Sequence, residues 1–186
     1  MQEKIAIRKK ALISRKKKYF EITPQFFYPL INLLKKNMYK KKSFTISLYY
    51  PSNYEVNVLN FFKVIKKANI KTLLPVIKPN NQINFITWKY LDPLAVNEFG
   101  MLEPISSNKN ILPNFMLIPL LAFDKNNNRL GYGKGFYDRF LNKFLKVKKN
   151  ITTIGIAFSF QKYNKLPVSN LDIKLDYILT EKGLKK

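Results

Sequence analysis

The chain has 186 residues, 46% of them apolar and 15% aromatic, enough for one ordinary globular domain with a sizeable core. It has no cysteine and no histidine, which excludes disulfides, thiolate nucleophiles, imidazole bases and zinc sites of the usual ligand set. Thirty-four Lys+Arg against 11 Asp+Glu give a net charge of +23, a balance that draws anionic ligands.

No apolar run approaches a membrane span, and charges are scattered through the opening MQEKIAIRKKALISRKKKYF, so the expectation is a cytoplasmic protein with no membrane partner. The basic excess is nearly all lysine and travels with abundant Asn, Ile, Phe and Tyr, as an AT-rich coding bias produces. It is densest in the first 42 residues, with 13 basic and 2 acidic side chains, which points to an anionic ligand at that end.

In chain order, residues 2 to 18 read as a basic helix. Thr23 and Pro24 suit the N-cap and first position of a second helix to about Asn37, which Pro29 would kink. Ser43 to Tyr50 is rich in β-branched and aromatic residues and reads as a strand. Ser52 and Glu55 have capping-box spacing, with Val56, Leu59, Phe62 and Ile65 as the apolar face of the helix that follows. Lys71 to Ile77 is the next strand, placed at an edge or end by Pro75, and Ile83 to Leu91 another. Phe115 to Phe123 is almost wholly apolar, as a strand covered on both faces is. A glycine cluster, a helix over 136 to 145, and strands at Ile151 to Phe160 and Leu175 to Thr180 complete the chain. This alternation predicts a single three-layer α/β/α domain, residues 1–186, with a mostly parallel sheet.

The richest chemistry lies in AFDKNNNRLGYGKGFYDRFL, residues 122–141. A buried strand runs into Gly131, Gly133 and Gly135 and then into a helix. Alternate glycines let successive amides face one phosphate while the helix N-terminus adds partial positive charge, and Lys134 and Arg139 would supply full charges. The spacing matches neither the Walker loop nor the dinucleotide fingerprint, and a turn that merely needs glycine is the alternative. Asp138 stands in the first turn of that helix, where it could hold magnesium beside a phosphate or simply oppose the helix dipole. Asp172 and Asp176 lie near the start of the last strand, where α/β domains gather ligands; either could equally be a solvated turn residue.

This segment closely resembles the signature of the 5-formyltetrahydrofolate cyclo-ligase family. Further similarities follow in order: Lys4 and Arg8; Tyr50-Pro51 and Glu55; Leu74-Pro75-Val76; Phe99-Gly100-Met101-Leu102-Glu103-Pro104; Gly155-Ile156-Ala157-Phe158 with Gln161; Asp172, Asp176 and Thr180-Glu181. Val58 and Leu171 depart from the pattern. The resemblance implies an enzyme in which ATP activates the formyl oxygen of 5-formyltetrahydrofolate and the neighbouring amine of the folate closes on the activated carbon. The products are 5,10-methenyltetrahydrofolate, ADP and phosphate.

It also implies site roles. Lys4, Arg8 and the loop Arg129, Leu130, Gly131, Tyr132, Gly133, Lys134, Gly135, Phe136 and Tyr137 would bind ATP, with Lys134 and Arg139 stabilising charge. Tyr50, Glu55, Met101, Glu103 and Tyr137 would contact the folate, and Asp138 and Asp172 would bind magnesium. A monomer acting on small molecules is expected.

Two other readings compete. An RNA-binding protein would use the lysine clusters at 16 to 18, 35 to 36 and 40 to 42 with exposed aromatics, but Phe62, Phe115, Phe123 and Phe158 fall at apolar-periodic positions and read as core. A kinase or ligase with another substrate would share the glycine-loop chemistry.

Overall fold

The computed structural model describes residues 2–38, 44–65, 69–105, 109–145 and 151–186. Helix α1 spans Gln2–Lys18 as expected. The next segment begins as a 3-10 turn, Pro24–Phe27, with Thr23 at the cap position but contributing no side-chain cap bond. Helix α2 follows at Tyr28–Met38. Pro29 therefore falls in the first turn of α2, where its missing N–H has no helical partner to lose, and the expected mid-helix kink does not arise.

Strand β1 is Phe44–Ser47, the described core of the expected 43 to 50 strand. The helix expected straight after Ser52 begins only at Val58, as a 3-10 turn capped by the Asn57 side chain, and continues as α3, Phe61–Ile65. Ser52 and Glu55 do bond as in a capping box, the Ser52 amide donating to Glu55 Oε2 at 2.9 Å. What they close is a turn through Asn53 and Tyr54, both with left-handed φ (47° and 61°), not a helix.

Strands β2 (Ile70–Lys78) and β3 (Gln82–Thr87) form an antiparallel pair. Pro75 is not on an edge strand, because β2 lies between β1 and β3. Its pairing with β1 nevertheless stops at Leu73, so Pro75 faces a ladder on one side only. Strands β4 (Leu94–Val96) and β5 (Leu102–Pro104) make a hairpin absent from the sequence reading.

The apolar run 115 to 123 is two strands, β6 (Phe115–Pro119) and β7 (Ala122–Phe123). Between them the Leu120 and Leu121 carbonyls accept the Gln161 side-chain amide at 2.9 and 3.1 Å, and Leu120 also accepts from Arg15 at 3.3 Å. Side chains here take over from the ladder. A two-residue β8 (Arg129–Leu130) pairs with β7, α4 spans Phe136–Leu145, and β9 is Thr152–Ile156. The chain ends in β10 (Tyr177–Thr180) and an unforeseen antiparallel edge strand, β11 (Gly183–Lys185).

The main sheet has the order β11-β10-β9-β6-β1-β2-β3. Its central pairs, β10 with β9, β9 with β6, β6 with β1 and β1 with β2, are all parallel. Alternate residues of β6 show why such a strand reads as continuously apolar. Phe115 and Leu117 enter one core with α2 and α3 (Leu30, Leu34, Phe61), whereas Met116 and Ile118 enter the other with Phe140 and Leu141 of α4. Helices thus cover both faces of a mostly parallel sheet, the predicted fold class. Phe115, Phe123 and Phe158 are buried and Phe62 is partly buried against the first core.

Candidate active site

One face of α1 is turned toward the glycine loop. Lys4, Arg8, Ala11 and Arg15 follow the 4-3-4 spacing of a helical stripe, and Ala11 and Arg15 are buried. Lys4 pairs with Asp172, Arg8 Nε donates to the Gly131 carbonyl at 2.9 Å, and Arg15 donates to the Tyr132 hydroxyl. The basic end of the chain is therefore folded onto the glycine segment across more than a hundred residues of sequence.

The loop is launched by a tight turn. Burial alone would push the Asp124 carboxyl up, but donors from Asn128, Leu166 and Asn126 hold it below the ordinary value. Asn127 completes the turn in the left-handed region at φ 61°. The chain then passes through β8 into residues 131–135, of which Tyr132, Gly133 and Lys134 are exposed.

Each glycine lies under a guanidinium. A Cβ on Gly131 would stand 2.9 Å from Nη1 of Arg129, one on Gly133 would stand 3.1 Å from Cζ of Arg8, and one on Gly135 would stand 2.9 Å from Nη1 of Arg139. Gly133 and Gly135 also have φ of 102° and 68°, where other residues are strained. Arg139 donates to the Lys134 and Asn81 carbonyls at 2.7 and 3.0 Å, and the Lys134 ammonium lies 5.4 Å from the centre of the Phe99 ring.

Asp138 accepts from Arg129 Nη2 at 2.8 Å and, through its other oxygen, from the Ile173 amide at 3.2 Å. Asp138 thereby abuts the segment carrying Asp172. Burial raises the Asp172 carboxyl, but Lys4 and the Ser169 amide and hydroxyl outweigh it and hold it low. All these donors fall on Oδ2, and Oδ1 accepts none among the described residues. No cluster of three or more acidic side chains occurs among those residues. A cation here would rest on one or two carboxylates and ligand oxygens, the set magnesium takes, and Asp138 with the spare oxygen of Asp172 fits it. Asp176 is spent on structure, accepting the Thr153 amide and hydroxyl at 2.8 Å.

A cleft of about 370 Å³ opens beside the β1 end, lined by Tyr19, Tyr50, Ser52, Tyr54, Glu55 and Asn57 among others. Glu55 is 6% exposed. Burial pushes its carboxyl up, against the pull of Arg15, the Tyr132 hydroxyl and Ser52. The Tyr132 hydroxyl donates to Glu55 Oε1 at 2.7 Å. Tyr137, held in the acid form by burial and by Glu55, lies with its ring 5.5 Å from the Arg129 guanidinium carbon.

The β4–β5 hairpin holds Met101 and Glu103. Glu103 Oε2 accepts from the Ile77 amide at 3.1 Å and the Asn97 side chain at 3.0 Å, fastening the hairpin to β2, and Met101 is exposed. At the hairpin tip the Phe99 ring meets Phe136 at 5.7 Å. Of the two departures noted above, Val58 is in the core and Leu171 is 75% exposed.

Sequence reasoning missed Arg15, Tyr19 and Tyr54. Arg15 was hidden in a lysine-rich helix, although its position seven residues after Arg8 on the same stripe was a usable signal. Tyr54 carried none, since its left-handed backbone is visible only in three dimensions.

Comparison with known proteins gives the same direction. The 5-formyltetrahydrofolate cyclo-ligase family pattern matches residues 1–181. The chain is 32% identical over 155 residues to a 5-formyltetrahydrofolate cyclo-ligase of Haemophilus influenzae, covering 80% of each. It is 37% identical over 138 residues to that of Mycoplasma pneumoniae, covering 74% of this chain and 73% of the relative. The fold matches the Aquifex aeolicus 5,10-methenyltetrahydrofolate synthetase with a TM-score of 0.75 at 32% identity, over 98% of this chain and 92% of that one. With that match over nearly the whole chain, and the glycine loop and the arginines above it in place, the chain belongs to the 5-formyltetrahydrofolate cyclo-ligase family.

Proposed function

We propose that the chain cyclises 5-formyltetrahydrofolate to 5,10-methenyltetrahydrofolate at the junction of the glycine loop and the Glu55 cleft, consuming ATP and releasing ADP and phosphate. The observation that carries this reading is the convergence of Arg8, Arg129 and Arg139 on the three loop glycines beside Asp138. Small residues there keep the main chain low, so guanidinium groups and amides can share one phosphate chain.

Lys4, Arg8 and residues 129–137 hold the nucleotide phosphates. Tyr50, Glu55 and Tyr137 hold the folate, joined from the hairpin by Met101 and Glu103. Asp138 and Asp172 hold magnesium, which when bound neutralises phosphate charge and orients the terminal phosphate. The formyl oxygen takes that phosphate from ATP. The neighbouring folate amine then attacks the activated carbon, loses its proton, and the carbon–oxygen bond breaks as phosphate departs. Because the attacking amine is tethered in the substrate, the protein has to align it and stabilise charge. Lys134 and Arg139 supply that charge at the loop, so the absence of histidine and cysteine is no obstacle. The acidic tail of the folate suits a chain of net charge +23.

Purified protein with ATP and magnesium is expected to convert 5-formyltetrahydrofolate to the methenyl form, read as a rise in near-ultraviolet absorbance. No turnover, with tight RNA binding instead, would overturn the assignment.

A further inference from the structure

Arg15, Tyr132 and Glu55 form a chain of hydrogen bonds with a fixed polarity. Arg15 is 1% exposed and can only donate; it donates to the Tyr132 hydroxyl, and its guanidinium carbon lies 5.5 Å from the centre of that ring. Burial, reinforced by Glu55, keeps the Tyr132 phenol protonated. Its single proton is directed at Glu55 Oε1, at 2.7 Å. The other carboxylate oxygen is fixed by the Ser52 amide at 2.9 Å. Glu55 thus has both oxygens anchored while it lines the cleft, with lone pairs left for a ligand donor.

Tyr132 makes these bonds from an unusual place. It stands between Gly131 and Gly133, so its main chain is part of the loop beneath Arg8 and Arg129. The residue is 40% exposed overall, yet its hydroxyl reaches inward to Glu55. Any shift of this loop around a nucleotide would move the donor that holds Glu55, and a displaced Glu55 would pull on the loop in return.

We propose that Tyr132, with Arg15 behind it, is a positioning residue that couples the nucleotide loop to the substrate carboxylate Glu55, so that folate and nucleotide each tighten the other's binding. The inference rests on the assignment of the two substrates made above. Arg15 acts as the counter-charge that keeps the hydroxyl turned toward Glu55, and neither residue touches the reacting atoms. Linkage makes the coupling reciprocal.

The test is Tyr132→Phe in the full chain, which keeps the ring under Arg15 and removes only the hydroxyl. A hydrogen bond to a buried charged group is lost, so KM for 5-formyltetrahydrofolate should rise about tenfold. Because the main chain of residue 132 stays in the loop, the rise in KM should exceed any change in kcat or in the affinity for a non-hydrolysable ATP analogue measured alone. In the wild type, 5-formyltetrahydrofolate should tighten analogue binding about fivefold or more, and in Tyr132→Phe that tightening should disappear. Arg15→Met should show the same loss of coupling. Arg15→Lys, which retains a cation, should recover part of it.

Unchanged KM and intact coupling in Tyr132→Phe would overturn the proposal, as would equal losses in kcat and in both affinities, which indicate a loop disordered as a whole. Absence of coupling in an active wild-type enzyme would also overturn it. A wild type that never turns over 5-formyltetrahydrofolate would instead defeat the functional assignment, so the two failures are distinct.

Discussion

The loop mouth and the Glu55 cleft handle charge in opposite ways. At the mouth, arginines are stacked over glycines in a surface loop, and its carboxylates have cationic partners, Arg129 with Asp138 and Lys4 with Asp172. In the cleft one carboxylate is buried, pushed up by that burial, and its hydrogen-bonded link to Arg15 runs through a phenol. A mouth of this kind concentrates a polyanion and tolerates water. A cleft of this kind fixes a single group at the cost of desolvating it. The two therefore fail differently when altered.

The largest effect is expected where the mouth leaves no room. At Gly133 a valine would combine a left-handed φ of 102° with a Cβ 3.1 Å from Cζ of Arg8, so the loop and its arginine must both move. Holding a valine at that φ strains the loop by about 1–3 kcal/mol, and relieving the strain would move the phosphate-facing backbone, so ATP affinity in Gly133→Val should fall about tenfold to a hundredfold. Because the site is exposed, urea unfolding should remain cooperative, with stability lowered by only about 1–3 kcal/mol. Unchanged nucleotide affinity in that variant would break the mouth half of the comparison.

How much could be read beforehand follows the same division. The mouth is mostly local: Gly131, Gly133, Gly135 and Asp138 sit in one stretch between a strand and a helix, and the glycine spacing, with that strand, that helix and the interleaved cations, suggested a phosphate cradle. The parallel core was legible because β6 and β9 are covered on both faces and so lose the polar alternation that would blur them. The hydrogen-bonded chain behind the cleft joins residues 15, 55 and 132, and no periodicity links such positions. Short elements were missed for a related reason. Strands β8 and β11 have two and three residues, too few for a period to register, and the β4–β5 hairpin contains exposed Val96 and Met101, which spoil alternation. At Ser52 the capping-box pattern was real, but left-handed Asn53 and Tyr54 turned it into a closed bend.

A second glycine sharpens the contrast, because it serves packing rather than a ligand. Gly155 lies in β9, and a Cβ there would come within 2.7 Å of Ile178 and Leu120 side-chain atoms and 2.8 Å of Leu175. Gly155→Ala overfills the core beneath the sheet and should lower stability by about 1–3 kcal/mol in urea titration. Nucleotide affinity of the folded fraction should be unaltered. Gly133→Val should thus lower nucleotide affinity as well as stability and Gly155→Ala stability alone, and a loss of affinity in both would erase the distinction.

The smallest effect separates the two carboxylates by the sign of their pH dependence. Asp172 is held low in the folded chain, so its contribution is complete above the ordinary aspartate range near 4 and fades as pH falls through the lower folded value. Lys4 and Asp172 keep 20% and 25% of their side chains exposed, and solvent screening limits the pair to under about 1 kcal/mol. The deficit of Asp172→Asn should therefore be constant from about pH 7 to about pH 5 and vanish in stronger acid. It should also shrink in about 1 M salt. Glu55 is raised by burial, so the folded state favours its protonated form. Stability from that group is present below the ordinary glutamate range and is lost as pH rises through the raised value. The wild type should accordingly lose ground to Glu55→Gln on alkalinisation, opposite in sign to its comparison with Asp172→Asn. Parallel pH profiles for the two variants would mean that both carboxylates share one environment.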